Sequence, residues 1–142
     1  MTVVITFGTF DLLHIGHVRL LKRAAELGDK LIVGVSSDVF NFNKKGYYPT
    51  YNQNARLEIV SSLRCVNDVF LEESFSLKEQ YLKEYNADIL VMGSDWAGKF
   101  DDLNCSVVYL ERTPNVCTSD TIKHIVKEVR GADRGEAIRS AE

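Results

Sequence analysis

His14 and His17 stand three residues apart in the segment Gly8-Thr9-Phe10-Asp11-Leu12-Leu13-His14-Ile15-Gly16-His17. An apolar, β-branched run precedes the segment and helical spacing follows it, so it joins a strand to a helix. Two imidazoles one turn apart at a helix start point the same way. The free N–H groups and positive dipole end of that helix attract phosphate. Imidazole donors aimed at a triphosphate stabilise oxygens whose charge rises in the transition state, which is electrostatic catalysis rather than proton abstraction. Spacing alone leaves two other readings open. A metal pair asks for a third protein ligand, and the remaining histidine, His124, lies far along the chain. Alternatively, both rings cap the helix. Gly8 and Gly16 let a ligand approach the backbone closely.

Two further constellations have the parts of a nucleotide site. Gly93-Ser94-Asp95-Trp96 follows an apolar run; Asp95 suits ribose hydroxyls, against the plainer reading of a surface-turn aspartate, and Trp96 reads more as packing than as base stacking. Arg112-Thr113 follows the last apolar run and Thr118-Ser119 precedes the last helical stretch. An arginine at a strand end and hydroxyls at a helix start supply a second phosphate cradle; the plainer reading is an exposed arginine and an ordinary cap. Lys44 and Lys45 fall in a long polar stretch, where a loop lysine could close over bound phosphates or simply be solvated.

Positioning these groups requires alternating strands and helices. Strands are expected at Val3–Phe7, Leu31–Val35, Asp68–Leu71, Asp88–Met92 and Val107–Leu110. The helix from His17 carries Val18, Leu21, Ala24 and Ala25 on one face, and Gly28 is expected as its C-cap. Further helices are expected near Gln53–Leu63, Leu77–Tyr85 and Ser119–Arg130, with Ser36–Asn54 as a loop. The pattern predicts an α/β fold: a single-domain, Rossmann-like open parallel sheet of about five strands, order 3-2-1-4-5, with helices on both faces. In that order the sheet reverses between strands one and four, so the histidine turn and the Asp95 turn face each other across the switch-point crevice.

The segment GTFDLLHIGH resembles the signature of cytidylyltransferases within the HxGH nucleotidyltransferase superfamily, because it includes GTFD as well as HxGH. The likeness runs over roughly residues 3–125. It implies that His14 and His17 contact the phosphates of CTP, that Gly8, Thr9 and Phe10 line the nucleotide site, and that Asp11 lies near the metal–triphosphate. It places Gly93–Trp96 in the nucleoside pocket and arginines such as Arg56 and Arg64 near the acceptor phosphate and the nucleotide. The family motif RTxGISTT is altered here to Arg112-Thr113-Pro114-Asn115-Val116-Cys117-Thr118-Ser119-Asp120-Thr121-Ile122, so the hydroxyl role falls to Thr118-Ser119, alone or with Thr121. The implied reaction moves CMP from CTP to a small phosphate monoester, with glycerol 3-phosphate the favoured acceptor. His14, His17, Lys44 and Arg112 would stabilise charge, Arg56, Lys44 and Arg112 would hold the acceptor, and Mg²⁺ would be held mainly by the CTP phosphates rather than by a protein metal site. Phosphoethanolamine or phosphocholine transfer, an ATP-using adenylyltransferase, and a non-catalytic nucleotide-binding module are the rival readings. Relatives of this kind are commonly homodimers.

Composition agrees with a small-molecule enzyme. The 142 residues suit one domain, expected over 1–130 with a charged tail at 131–142. A net charge of −3 without a long basic run argues against nucleic acid as a partner. The apolar runs are strand-sized, so no membrane span is expected. The N-terminus lacks the pattern of a secretory signal, which predicts a cytoplasmic location. Cys65, Cys105 and Cys117 are odd in number and widely spaced, as free thiols would be.

Overall fold

The computed structural model describes residues 1–114 and 116–133. Five strands, β1 (Val3–Gly8), β2 (Lys30–Ser36), β3 (Asp68–Glu72), β4 (Ile89–Gly93) and β5 (Ser106–Leu110), form one sheet in the order β3-β2-β1-β4-β5. Every pairing is parallel, and the register aligns Gly8 with Val35, Ser36 with Glu72, and Gly93 with Leu110. All five strands therefore end at one edge, and the chain turns that carry the chemistry leave from it. The strand order is the one expected.

The strands read as nearly continuous apolar runs because both sheet faces are covered. On one face, Val4, Val33, Val35 and Val91 pack with Leu21 and Ala24 of α1 (Ile15–Ala25) and Val60 of α3 (Gln53–Ser61). On the other, Ile5, Phe7, Ile32 and Leu90 pack with Tyr81 and Leu82 of α4 (Lys78–Glu84). A final helix, α5 (Thr118–Asp133), carries residues 131–133 of the expected tail; the remainder of that tail lies outside the described residues.

Two expectations are corrected. The stretch Ser36–Asn54 is not all loop, since α2 spans Asp38–Lys45. Its signals are terminal rather than periodic. Ser37 caps it by accepting the Phe40 N–H, Asp38 and Lys44-Lys45 complement the dipole, and Gly46 closes it at φ 82°. Only Phe40 and Asn41 are buried, too few to show a helical period. Gly28 is not the cap of α1, which ends through Glu26. It is needed instead because a Cβ there would lie 2.7 Å from the Thr2 carbonyl.

Candidate active site

The turn between β1 and α1 is a strained piece of backbone. Phe10 and Leu12 both have positive φ, 53° and 48°, a region that costs a side-chain-bearing residue on the order of 1–2 kcal/mol. Burial of the Phe10 ring offsets part of that cost, and the Asp11 carboxylate fixes the turn from the other side. Its two oxygens accept the backbone N–H groups of Thr50 at 2.7 Å and Tyr51 at 2.9 Å. Asp11 therefore latches the segment after α2 over the crevice. Its own carbonyl accepts the Thr118 hydroxyl, tying the start of α5 to the same turn.

The two histidines cap α1 reciprocally. His14 Nδ1 accepts the Gly16 N–H at 3.0 Å, and His17 Nδ1 accepts the His14 N–H at 3.1 Å. The rings stack with centroids 3.7 Å apart. Position 16 favours glycine, because a Cβ there would come within 2.9 Å of the His14 ring. The rings cap the helix, one of the readings that spacing left open, and both also line the crevice. Burial, followed by neighbouring His14, pulls His17 down to about 4; the Arg112 and Lys45 charges push the same way against Asp11. Burial and then Arg112 lower His14 as well. Neutral rings whose Nδ1 atoms accept hydrogen bonds carry the proton on Nε2, which leaves Nε2–H as the free donor of each.

The crevice is about 520 Å³ and runs along the carboxyl edge of the sheet. Of the residues singled out from the sequence, Gly8, Thr9, Phe10, Asp11, His14, His17, Lys44, Gly93, Asp95, Trp96, Arg112, Thr113, Thr118 and Ser119 all line it. Arg112 Nη1 reaches Asp95 Oδ2 at 3.0 Å, and both side chains are more than half exposed. A pair that open adds little to stability, and leaves both groups accessible to a ligand. Lys44 sits on the last turn of α2 and donates to the Ser36 hydroxyl at 3.0 Å. Burial pulls its ammonium down to about 8, partly opposed by Glu72. Thr121 does not line the crevice; its hydroxyl donates to the Cys117 carbonyl. Cys117 acts as the cap of α5, its sulfur accepting the Asp120 N–H at 3.4 Å.

Arg56 and Arg64 are not brought to the crevice. Arg56 is fully buried beneath it, donating to the carbonyls of Tyr51, Thr9 and Ser36 and to the Asp38 carboxylate. It braces the turns that bear the site instead of touching a ligand. Arg64 is exposed just after α3, toward the amino end of β3 and hence the opposite edge of the sheet. Sequence reasoning missed Glu72 and Lys78, a buried ion pair at 2.6 Å that lines the crevice. The position of Glu72 at the carboxyl end of a strand was the available signal.

Known proteins can be set against this geometry. The cytidylyltransferase-like family model matches residues 5–140. A glycerol-3-phosphate cytidylyltransferase of Bacillus subtilis (strain 168) is 48% identical over 122 residues, covering 84% of this chain and 93% of that protein. Another, from Staphylococcus aureus (strain NCTC 8325 / PS 47), is 44% identical over 137 residues, covering 94% and 98%. Among solved structures, the lipopolysaccharide core biosynthesis protein from Thermoplasma volcanium GSS1 superposes with a TM-score of 0.66 at 29% identity, over 80% of this chain and 97% of that one.

Proposed function

From the membership of this chain in the cytidylyltransferase-like family, we propose that it is an enzyme that transfers CMP from CTP to glycerol 3-phosphate, giving CDP-glycerol and pyrophosphate. The observation that carries the chemistry is the pair of neutral imidazoles whose Nδ1 atoms are held by backbone N–H groups, leaving two Nε2–H donors in the crevice wall. The acceptor comes from the near full-length similarity to the glycerol-3-phosphate cytidylyltransferases.

A phosphate monoester has a second pKa near 6 and is already dianionic at neutral pH, so no general base is needed. Its oxygen bonds to the α-phosphorus of CTP while the bond from that phosphorus to the β-phosphate bridging oxygen breaks. Pyrophosphate leaves in line with the electron pair. His14, His17, Lys44 and Arg112 stabilise the growing negative charge, and alignment of the two anions supplies much of the remaining acceleration. Asp95 holds the ribose hydroxyls and Arg112 alternates between Asp95 and phosphate.

Mg²⁺ belongs to the same reading as a ligand of the CTP phosphates. Both Asp11 oxygens already accept backbone N–H groups, and among the described residues no three metal-binding side chains converge. That donor set fits a metal delivered with the nucleotide better than a resident one. The ion would neutralise phosphate charge when bound.

We further assign the enzyme to the cytoplasm and to a homodimer. In support, no helix among the described residues is long and apolar enough to cross a membrane, and α5 exposes Ile122, Ile125, Val126 and Val129 in one apolar stripe. Light scattering of the purified protein tests the dimer. Pyrophosphate release with CTP or ATP against glycerol 3-phosphate, phosphocholine and phosphoethanolamine tests the reaction. CTP with glycerol 3-phosphate is expected to lead, and release that requires ATP would overturn the reading.

A further inference from the structure

Two buried polar side chains tie the turn after β1 to the exposed segment that follows α2. Asn41 of α2 is 1% exposed. Its Oδ1 accepts the Thr9 hydroxyl at 2.8 Å, and its Nδ2 donates to the Tyr47 carbonyl at 3.1 Å. Arg56 repeats the pattern from α3, donating to the Thr9 carbonyl at 2.8 Å and to the Tyr51 carbonyl at 2.9 Å. Thr9 is therefore held at its side chain and at its backbone by two residues, each of which also holds one end of the segment 47–51.

The chemistry of the amide fixes the direction of each bond. A backbone carbonyl only accepts, so the Asn41 nitrogen faces Tyr47 and the Asn41 oxygen faces Thr9. The Thr9 hydroxyl then has to donate, and its single proton is spent inside the protein rather than on a phosphate oxygen. The segment 47–51 has little apolar burial to hold it. Tyr47, Tyr48 and Tyr51 are all exposed, and Tyr48 stacks on a Phe42 ring that is itself exposed. A stretch with few buried contacts keeps its place through its hydrogen bonds. At its far end these are three, to Asp11 and Arg56; at its near end Asn41 supplies the one side-chain anchor among the described residues. Tyr47 and Tyr48 line the crevice with Thr9 and the two histidines.

Resting on the proposed use of CTP, we infer that Asn41 is a positioning residue for the nucleotide, fixing the Thr9 side chain and the start of the segment 47–51 against each other as one unit. CTP binds the wall that the two form. Asn41 lines the crevice yet spends both ends of its amide on the protein, so it acts through Thr9 and Tyr47 and not by touching the ligand. Loss of either side of the Thr9–Asn41 bond frees the same unit, and the two residues therefore affect CTP as a pair. An asparagine suits this place because one short side chain must accept from a hydroxyl and donate to a carbonyl at once.

The test is a double-mutant cycle read by calorimetric titration with CTP, using the native chain, Asn41→Leu, Thr9→Val and the double variant. Both changes roughly keep side-chain volume and each removes one side of the 2.8 Å bond. Titration stoichiometry counts the folded fraction while the dissociation constant does not depend on it, so a loss of stability does not mask the result. Each single change is expected to raise the CTP dissociation constant about tenfold, the effect of one buried hydrogen bond. The double variant should lie within about twofold of the weaker single one, because the same bond cannot be lost twice. In steady state Asn41→Leu should raise KM for CTP by a larger factor than it lowers kcat. An unchanged dissociation constant in Asn41→Leu, or single effects that multiply in the double variant, would overturn the positioning role. A native chain that binds no CTP would overturn the proposed reaction and this role together. Pair-dependent CTP binding without transfer to glycerol 3-phosphate would uphold the role and remove only the proposed acceptor.

Discussion

His17 accepts the backbone N–H of His14 through Nδ1 at 3.1 Å, so the second imidazole of the motif is held by the peptide of the first. The same bond sets which nitrogen of His17 is free, so a capping contact leaves Nε2–H as the donor that the proposed transfer uses. In that proposal one residue has both a stability role and a rate role, of very different size.

Replacing His17 by Ala removes a helix cap and a charge-stabilising donor together. Loss of the cap costs about 1 kcal/mol, whereas loss of the donor lowers kcat by ~10²–10³. Turnover should therefore collapse while the melting temperature falls by only a few degrees. A comparable loss in both would mean that the ring is structural alone, and steady-state kinetics beside a thermal melt decide it.

The depressed basicity of His17 predicts an acid-side loss of stability. With a folded value of about 4 against an ordinary 6.5, the unfolded chain binds more protons between those limits. The stabilisation is fully present above pH 6.5 and declines as pH falls toward 4, by on the order of 3 kcal/mol in total. Histidine NMR titration of the free protein should locate that low value. Added CTP should raise it, because polyphosphate favours the imidazolium; a His17 that titrates near 6.5 with or without CTP would contradict the buried, neutral ring.

Much of this was readable in the residue order because the relevant signals are local. A parallel sheet covered on both faces leaves solid apolar runs such as Leu31–Val35, and the reciprocal caps of His14 and His17 form within four residues. Helix α2 escaped because burial of only Phe40 and Asn41 gives no period. The family resemblance put Arg56 near the acceptor, and the residue order does not correct it, because an arginine on a helix looks the same whether its guanidinium meets phosphate or carbonyls. Which it meets depends on the paths of Thr9 and Ser36, 47 and 20 residues away. The Glu72–Lys78 pair escaped for the same reason, since only tertiary packing buries it.

Arg56→Met tests the bracing role directly. The change would strand the carbonyls of Thr9 and Ser36 and leave the Asp38 carboxylate without its partner. Asp38 is 28% exposed and is rehydrated, but each carbonyl left without its buried donor costs about 1–3 kcal/mol, which lowers the melting temperature by on the order of 10 °C. Below the new transition the surviving folded enzyme should keep an acceptor KM close to the native value. A large rise in that KM with an unchanged melting temperature would return Arg56 to the acceptor site.

Asp11→Asn separates the latch from any charge at the crevice. Asparagine preserves shape and one acceptor oxygen but turns the other into a donor facing a backbone N–H, either that of Thr50 or that of Tyr51. One charge-assisted hydrogen bond is lost and the second weakens, at about 1.5–3 kcal/mol for the first. The segment bearing Tyr47 and Tyr48, which lines the crevice between α2 and Thr50, should then open more often. Hydrogen exchange at the amides of Thr50 and Tyr51 should accelerate by one to two orders of magnitude, roughly the factor that such a free-energy change gives. KM for CTP should rise in parallel. Fast exchange in Asp11→Asn with an unchanged KM would show that the latch serves the fold alone, whereas protected amides with a lost kcat would move Asp11 from latch to metal–triphosphate contact.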